Sequence, residues 1–292
     1  MQTVIQLSTI CLQVSAVYIL FSLGLTLVYG VMGIVNFAHG QIFALSALIV
    51  AVTIPPLASA GFSVLTAYTL ASLLGFVVAV TAGILVYIFF LRFFWSDHNG
   101  SFILTIGIVL FTDGVLLALF GGNVRQVPDV FNGDAISVFG ARVASQRLIP
   151  CAVAIVATLV LYLALARTKL GLALRAVAAD HEAAMLQGIP YARIAFLGFV
   201  IATALAAIAG AVIAPLAAVS PNLGADYIIR GFIAVILGGL GSVSGAILGS
   251  IFIAVIETVG GFYFDASSAN ILIFVLVILV LLLRPRGLLG HA

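Results

Sequence analysis

Long apolar runs dominate the chain. They cover about 4–29, 36–54, 63–91, 101–121, 148–166, 192–218, 229–262 and 268–283, each bounded by Pro, Gly or charge. A helix needs about 20 predominantly apolar residues to cross a bilayer. The runs are continuous and rich in Leu, Ala and Gly, without the two-residue alternation of membrane strands. The pattern predicts an all-α polytopic membrane protein with about eight to nine transmembrane helices. Two runs are interrupted. The 229–262 run is too long for one span and carries Gly238, Gly239, Gly241, Gly245 and Gly249, so it reads as two shorter helices turning near Gly241-Ser242. Residues 29–40 carry Gly30, Gly33, Asn36, His39 and Gly40, so some helices are expected to be discontinuous. Gly30-x-x-Gly33 and Gly238-x-x-Gly241 each follow an aliphatic run and precede another helix. They read either as halves of an internal inverted repeat or as ordinary packing glycines of membrane helices.

Composition sharpens the class. Of 292 residues, 64% are hydrophobic and 7% charged, against about 25% charged in soluble domains. That excludes a soluble enzyme, a disordered chain and a nucleic-acid binder. The polar stretches 122–147 and 167–191 are too short to bury cores of their own, so residues 1–292 read as a single transmembrane domain. The opening Met1-Gln2-Thr3-Val4 lacks the basic region of a secretory signal, and 4–29 reads as a retained first span. Cys11 and Cys151 sit in apolar runs and read as buried small hydrophobes, not a disulfide. With 167–193 on the cytoplasmic side, Arg92, Arg167, Lys169, Arg175, Arg193, Arg284 and Arg286 fall inside; Arg125, Arg142, Arg147 and Arg230 fall outside. The N-terminus is then outside.

Catalytic patterns are missing. Lys169, the only lysine, follows no Gly-rich phosphate cradle. His39, His98, His181 and His291 lie at no metal-binding spacing, and Asp180-His181-Glu182, being adjacent, point to different helix faces. There is no Gly-x-Ser-x-Gly elbow. No catalytic residue, metal site or cofactor is expected. Three polar features remain. Asn36-Phe37-Ala38-His39-Gly40 lies between strongly apolar runs. It reads either as a broken helix beside a translocation path or as a surface corner with Asn36 capping the next helix. Asp113 and Glu257 lie inside spans, as path-lining or structural acids. Residues 175–193 read as a polar helix with Asp180, Ala184 and Gly188 in one stripe, either docking a partner or lying on the headgroups.

Four motifs together resemble a known family. Asn36-Phe37-Ala38-His39-Gly40; 175–180 with Ala184 and Gly188-Ile189; Gly238-Gly239-Leu240-Gly241-Ser242-Val243-Ser244-Gly245-Ala246; and Arg284-Pro285-Arg286-Gly287-Leu288-Leu289-Gly290 occur in the order of the branched-chain amino acid ABC transporter permeases, H-type subunit. The resemblance implies one permease of an ATP-driven importer in the bacterial inner membrane. Its partners would be a second permease, two cytoplasmic ATPases that use the ATP, and a periplasmic substrate-binding protein, besides membrane lipid and no nucleic acid. It implies a pathway lined by Gly33, Asn36, His39, Gly40, Asp113 and Gly241. It also implies an ATPase-coupling helix at Asp180, Glu182, Ala183, Ala184, Gly188 and Ile189. Glu182-Ala183-Ala184-x-x-x-Gly188 matches the start of the general import-permease loop, but Gly198 replaces its later Ile. Gln41 stands where many relatives have an acid. The implied cargo is a branched-chain or other apolar or neutral amino acid; the alternatives are urea or short amides, or a stand-alone secondary transporter.

Overall fold

The computed structural model describes residues 2–94, 97–130, 135–138 and 141–289. Met1 and Gly290 of the quoted motifs lie outside the described residues. The helices are α1 (Gln2–Met32), α2 (His39–Ser59), α3 (Val64–Phe89), α4 (His98–Phe120), α5 (Leu148–Arg167), α6 (Lys169–Ala179), α7 (His181–Leu186), α8 (Tyr191–Ile213), α9 (Leu223–Gly238), α10 (Val243–Tyr263) and α11 (Ala266–Leu283). A short antiparallel hairpin, β1 (Ala135–Val138) with β2 (Ala141–Ala144), decorates the loop before α5. Among the described residues, eight helices are long and apolar enough to cross a membrane: all but α6, α7 and α9. The all-helical polytopic architecture is therefore as expected, and the 229–262 run does divide, with α9 ending at Gly238 and α10 starting at Val243.

Helix starts follow local chemistry. Ser63, Asp97, Thr168, Asp180, Ser242 and Asp265 each accept a hydrogen bond from the backbone N–H three residues on, satisfying a donor that the first turn leaves free. Burial then sorts the spans. In α1 and α8, 67% of the apolar window is buried, against 17% in α4, α5 and α11. So α1 and α8 form the centre. The outer spans face lipid or partners, where exposed Leu, Ile and Phe cost nothing. Helices α2 and α3 pack on one side of this centre, and α9, α10 and α11 on the other.

Four expectations change. The 175–193 segment is not one helix: Asp180 breaks it with extended backbone (φ −161°) and caps α7, and Gly188 turns it with φ +82°. Asp180, Ala184 and Gly188 do not present one surface: Asp180 and Gly188 are exposed at the two ends of α7 and Ala184 between them is buried. Asn36 does not cap α2; Ala38 occupies the cap position without a side-chain bond. Arg230 does not stand at a span end but in the middle of α9, a helix that is not among those long and apolar enough to cross a membrane. Cys11 and Cys151 are free and half-buried, because α1, α5 and α10 leave between them an apolar groove of about 900 Å³ that both thiols line.

Candidate functional site

The first region of interest is the break between α1 and α2. Gly33 closes α1 in the left-handed region (φ +66°), donating its N–H to the Tyr29 carbonyl at 2.8 Å. Glycine is the residue that takes this conformation without steric cost. Residues 33–36 are then irregular and a turn at 37–38 leads into α2. The His39 imidazole lies against α1 at Gly24, eight residues before the end of that helix. At 1.5 Å per residue, α2 begins about 12 Å inside the cytoplasmic end of α1. The break is thus inside the protein, where irregular backbone needs protein around it. It has that: Thr105 of α4 donates to the Val35 carbonyl at 3.3 Å, and the Phe37 ring packs between Phe102 (5.3 Å) and Phe232 (4.9 Å).

The polar side chains of this break are buried without partners. Asn36 is 1% exposed and His39 fully buried. The amide atoms of Asn36 have no hydrogen-bond partner among the described residues, and the His39 ring has only a weak contact with the Phe21 backbone. The Phe21 ring lies edge-on to the imidazole at 4.9 Å. Buried polar atoms are nearly always satisfied in folded proteins, so the unpaired Asn36 amide and the weakly held His39 ring mark this break as a polar site within an apolar bundle. Gly40 lets α2 touch α9: a Cβ there would strike the Gly224 carbonyl. Next along, the Gln41 side chain reaches Asp113 of α4, whose other carboxylate oxygen is buried and unpartnered. So Asn36, His39, Gly40 and Asp113 lie in one connected neighbourhood.

The second region lies where the C-terminal end of α1 meets α7 and the α9–α10 turn. A cavity of about 670 Å³ is lined by Gly30, Gly33, Asp180, Glu182, Met185 and Gly241, among others. Gly241 has φ +80° and sits against Gly30, so the two glycine-broken segments meet here. The cavity therefore joins the residues expected for the pathway (Gly33, Gly241) to those expected for coupling (Asp180, Glu182). Ala184 is buried, Ala183 is exposed and donates to Asp180, and Ile189 donates its N–H to the Ala184 carbonyl at 3.0 Å. Gly188 has nothing within 4 Å of where a Cβ would lie; its glycine serves the turn. The C-terminal motif also docks here. Leu288 and Leu289 donate to the Leu237 and Gly238 carbonyls at 2.8 and 2.9 Å, and Gly287 lies on Gly239. Two motifs separated by about 45 positions in the sequence thus form one structure at the end of α9, a sheet-like use of carbonyls that a helix C-terminus leaves free.

Sequence reasoning missed a third region, on α9. Tyr18 donates to a carboxylate oxygen of Glu257, and the other oxygen pairs with Arg230 Nε at 3.6 Å. Tyr227 packs on Tyr18 at 5.7 Å and on Phe43 at 4.6 Å. Asn222 and Asp226 are exposed on the same helix. The signal was present: Asn222, Asp226 and Arg230 recur at i, i+4 and i+8 next to an apolar run, a polar stripe by helical periodicity.

Eight helices long and apolar enough to cross a membrane, two interrupted helix pairs and a buried polar break between α1 and α2 define a polytopic membrane protein. Comparison with known proteins agrees. The family described as "Branched-chain amino acid transport system / permease component" matches residues 8–283, and the chain belongs to that family. It is 29% identical to the high-affinity branched-chain amino acid transport system permease protein LivH of Salmonella typhimurium, over 94% of this chain and 91% of that protein. It is 30% identical to the corresponding BraD of Pseudomonas aeruginosa, over 96% and 94%. It is 28% identical to the xylose/arabinose import permease protein XylH of Sulfolobus acidocaldarius, over 61% and 52%. No solved structure matches. The protein is a multi-pass protein of the bacterial inner membrane.

Proposed function

We propose that this chain is a translocating subunit of an ATP-driven importer for branched-chain or other apolar amino acids. It would act with a second permease, two cytoplasmic ATPases and a periplasmic binding protein. The observation that carries this reading is the cytoplasmic cavity in which Gly33 and Gly241 face Asp180 and Glu182. A push on α7 would be felt directly where α1 and the α9–α10 turn are interrupted. Rigid helices transmit such a push; glycine turns let them pivot.

In this mechanism ATP-driven closure of the partner ATPases displaces α6–α7, and the two broken segments swing the cavity between inward- and outward-open states. Asn36 and His39 line the path and satisfy their polar atoms with water or passing solute. Gly40 and the Gln41–Asp113 contact hold α2 against α9 and α4. Exposed Glu182, Ala183 and Gly188 form the surface the ATPases contact, with buried Ala184 and half-buried Ile189 seating α7 beneath it. The chain itself binds no ATP, metal or cofactor and catalyses no reaction.

The experiment is reconstitution. With the ATPases, second permease and binding protein, leucine uptake into proteoliposomes should require ATP. Uptake by this chain alone would overturn the reading in favour of a secondary transporter. A binding protein that captures urea or short amides, and no amino acid, would move the substrate class. Gly188→Val should weaken co-purification with the ATPases, because a β-branched residue does not sit at φ +82°. A complex that stays assembled and coupled would remove Gly188 from the contact.

A further inference from the structure

Helix α9 places charge where lipid does not tolerate it. Its first residues pack on Gly40 and Ala44 of α2, and Tyr227 packs on Tyr18, Phe21 and Phe43. Its end, Gly238, sits at the cytoplasmic turn against Gly245. Counting back from Gly238 at 1.5 Å per residue, Arg230 lies about 12 Å and Asp226 about 18 Å up the helix. Both lie within a hydrocarbon core of about 30 Å. Glu257 agrees, about 21 Å along α10 from Val243.

At that depth the face is open. Asp226 and Asn222 are exposed. Arg230 and Glu257 keep 25% and 27% of their side-chain surface accessible. The Asp226 carboxylate makes no hydrogen bond or ion pair among the described residues, and Arg230 uses Nε for Glu257, leaving its terminal nitrogens without a hydrogen bond among the described residues. A charge at the bilayer centre costs about 2.5–3.5 kcal/mol even on the mildest scale, so such residues face water or protein. Asn222, Asp226 and Arg230 form one stripe, and exposed Ile229 flanks it. At i and i+4 an acid and a guanidinium stand about 5–6 Å apart at Cβ, free to take an ammonium and a carboxylate side by side.

We propose that the exposed stripe Asn222, Asp226 and Arg230 on α9 lines the water-filled path and reads the zwitterion of a passing α-amino acid, Asp226 taking its ammonium and Arg230 its carboxylate. Ile229 offers an apolar surface to the aliphatic side chain. Glu257 and Tyr18 hold the Arg230 guanidinium in place. The reading rests on the proposed function, since it supplies the group common to all amino acid cargo; it requires that uncharged amides be passed over.

The test uses the assembled transporter in proteoliposomes. In a chain with Cys11→Ala and Cys151→Ala, single cysteines at Asp226→Cys and Ile229→Cys are compared with Leu279→Cys on the exposed face of α11, using a charged methanethiosulfonate reagent that reacts only in water. Modification at 226 and 229 at least tenfold faster than at 279 is expected; equal rates would overturn the path assignment. Asp226→Asn should lower leucine uptake at least tenfold, and Asp226→Glu should recover most of it. Undiminished uptake in Asp226→Asn, or no recovery in Asp226→Glu, would overturn the zwitterion reading. If the unsubstituted transporter moves urea and no amino acid, the proposed function and the zwitterion reading fail together. The labelling rates then still decide whether this face is wet.

Discussion

Two polar regions lie at bilayer depth, and the protein treats them in opposite ways. Around Glu257 the charges are matched: Tyr18 donates to one carboxylate oxygen and Arg230 pairs with the other. Around the α1–α2 break they are not: Asn36 is buried with its amide unpaired, and His39 is buried with only the Phe21 backbone near its ring. Partnered charges resist change, because removing one strands the other. Unpartnered polar groups cost stability and are kept only where something else completes them. The difference separates groups fixed by partners, as Glu257 and Tyr18 fix Arg230, from groups the protein leaves open.

The largest expected effect breaks the matched region. Glu257→Ala strands Arg230 and Tyr18 and should cost about 3 kcal/mol, read as a lowered melting temperature of the purified protein in detergent. An unchanged melting temperature would mean that solvent already satisfies Arg230. Next comes the joint between the two regions. Gly40→Val drives a side chain into the Gly224 backbone. Overpacking of this kind costs about 2 kcal/mol, and it should abolish ATP-dependent uptake by parting α2 from α9. Wild-type uptake by that variant would show that the contact is incidental.

Asn36→Leu sharpens the comparison, because stability and function should move in opposite directions. Removing an unsatisfied buried amide for an apolar group of similar size should leave stability equal or raise it by about 1 kcal/mol, while leucine uptake falls about tenfold. A destabilised variant would mean that Asn36 has a structural partner after all. The smallest effect concerns a control charge outside the membrane. Asp265 caps α11, and its hydrogen bonds from the Ser268 backbone and side chain hold its carboxyl below the usual range. A depressed folded-state value gives stability that is present above the ordinary carboxylate pKa and lost as pH falls through the folded one. The first turn of α11 should therefore fray below about pH 4. Hydrogen exchange at 266–269 would report it, and Asp265→Ser should remove the pH dependence.

Much of this was legible along the chain. The spans were visible because a lipid-facing helix must be apolar through its whole length. The α9–α10 turn was visible because five glycines cannot belong to one uninterrupted helix without cost. The 180–188 break was also written locally, in Asp180 as a helix-start residue and in Gly188-Ile189-Pro190 as a stop, yet apparent periodicity argued for a continuous helix. Arg230 was misplaced because charge counting assigns arginines to span ends and assumes every apolar run crosses the membrane. Helix α9 does not: at 16 residues it starts partway through the bundle.

The sequence by itself determined the solvent of each segment, and so the class: apolar length sets what must lie in lipid, and scarce charge sets what cannot be an enzyme in water. It also determined where helices stop, because glycine, proline and capping side chains act within a few residues. Only the tertiary structure decided which of the remaining polar groups are satisfied. Glu257 finds Tyr18 from 239 residues away, Gln41 finds Asp113, and the C-terminal glycine motif closes on α9. Asn36 finds no protein partner, and His39 only the Phe21 backbone. Partnership is a property of packing between distant elements, and no local pattern encodes it.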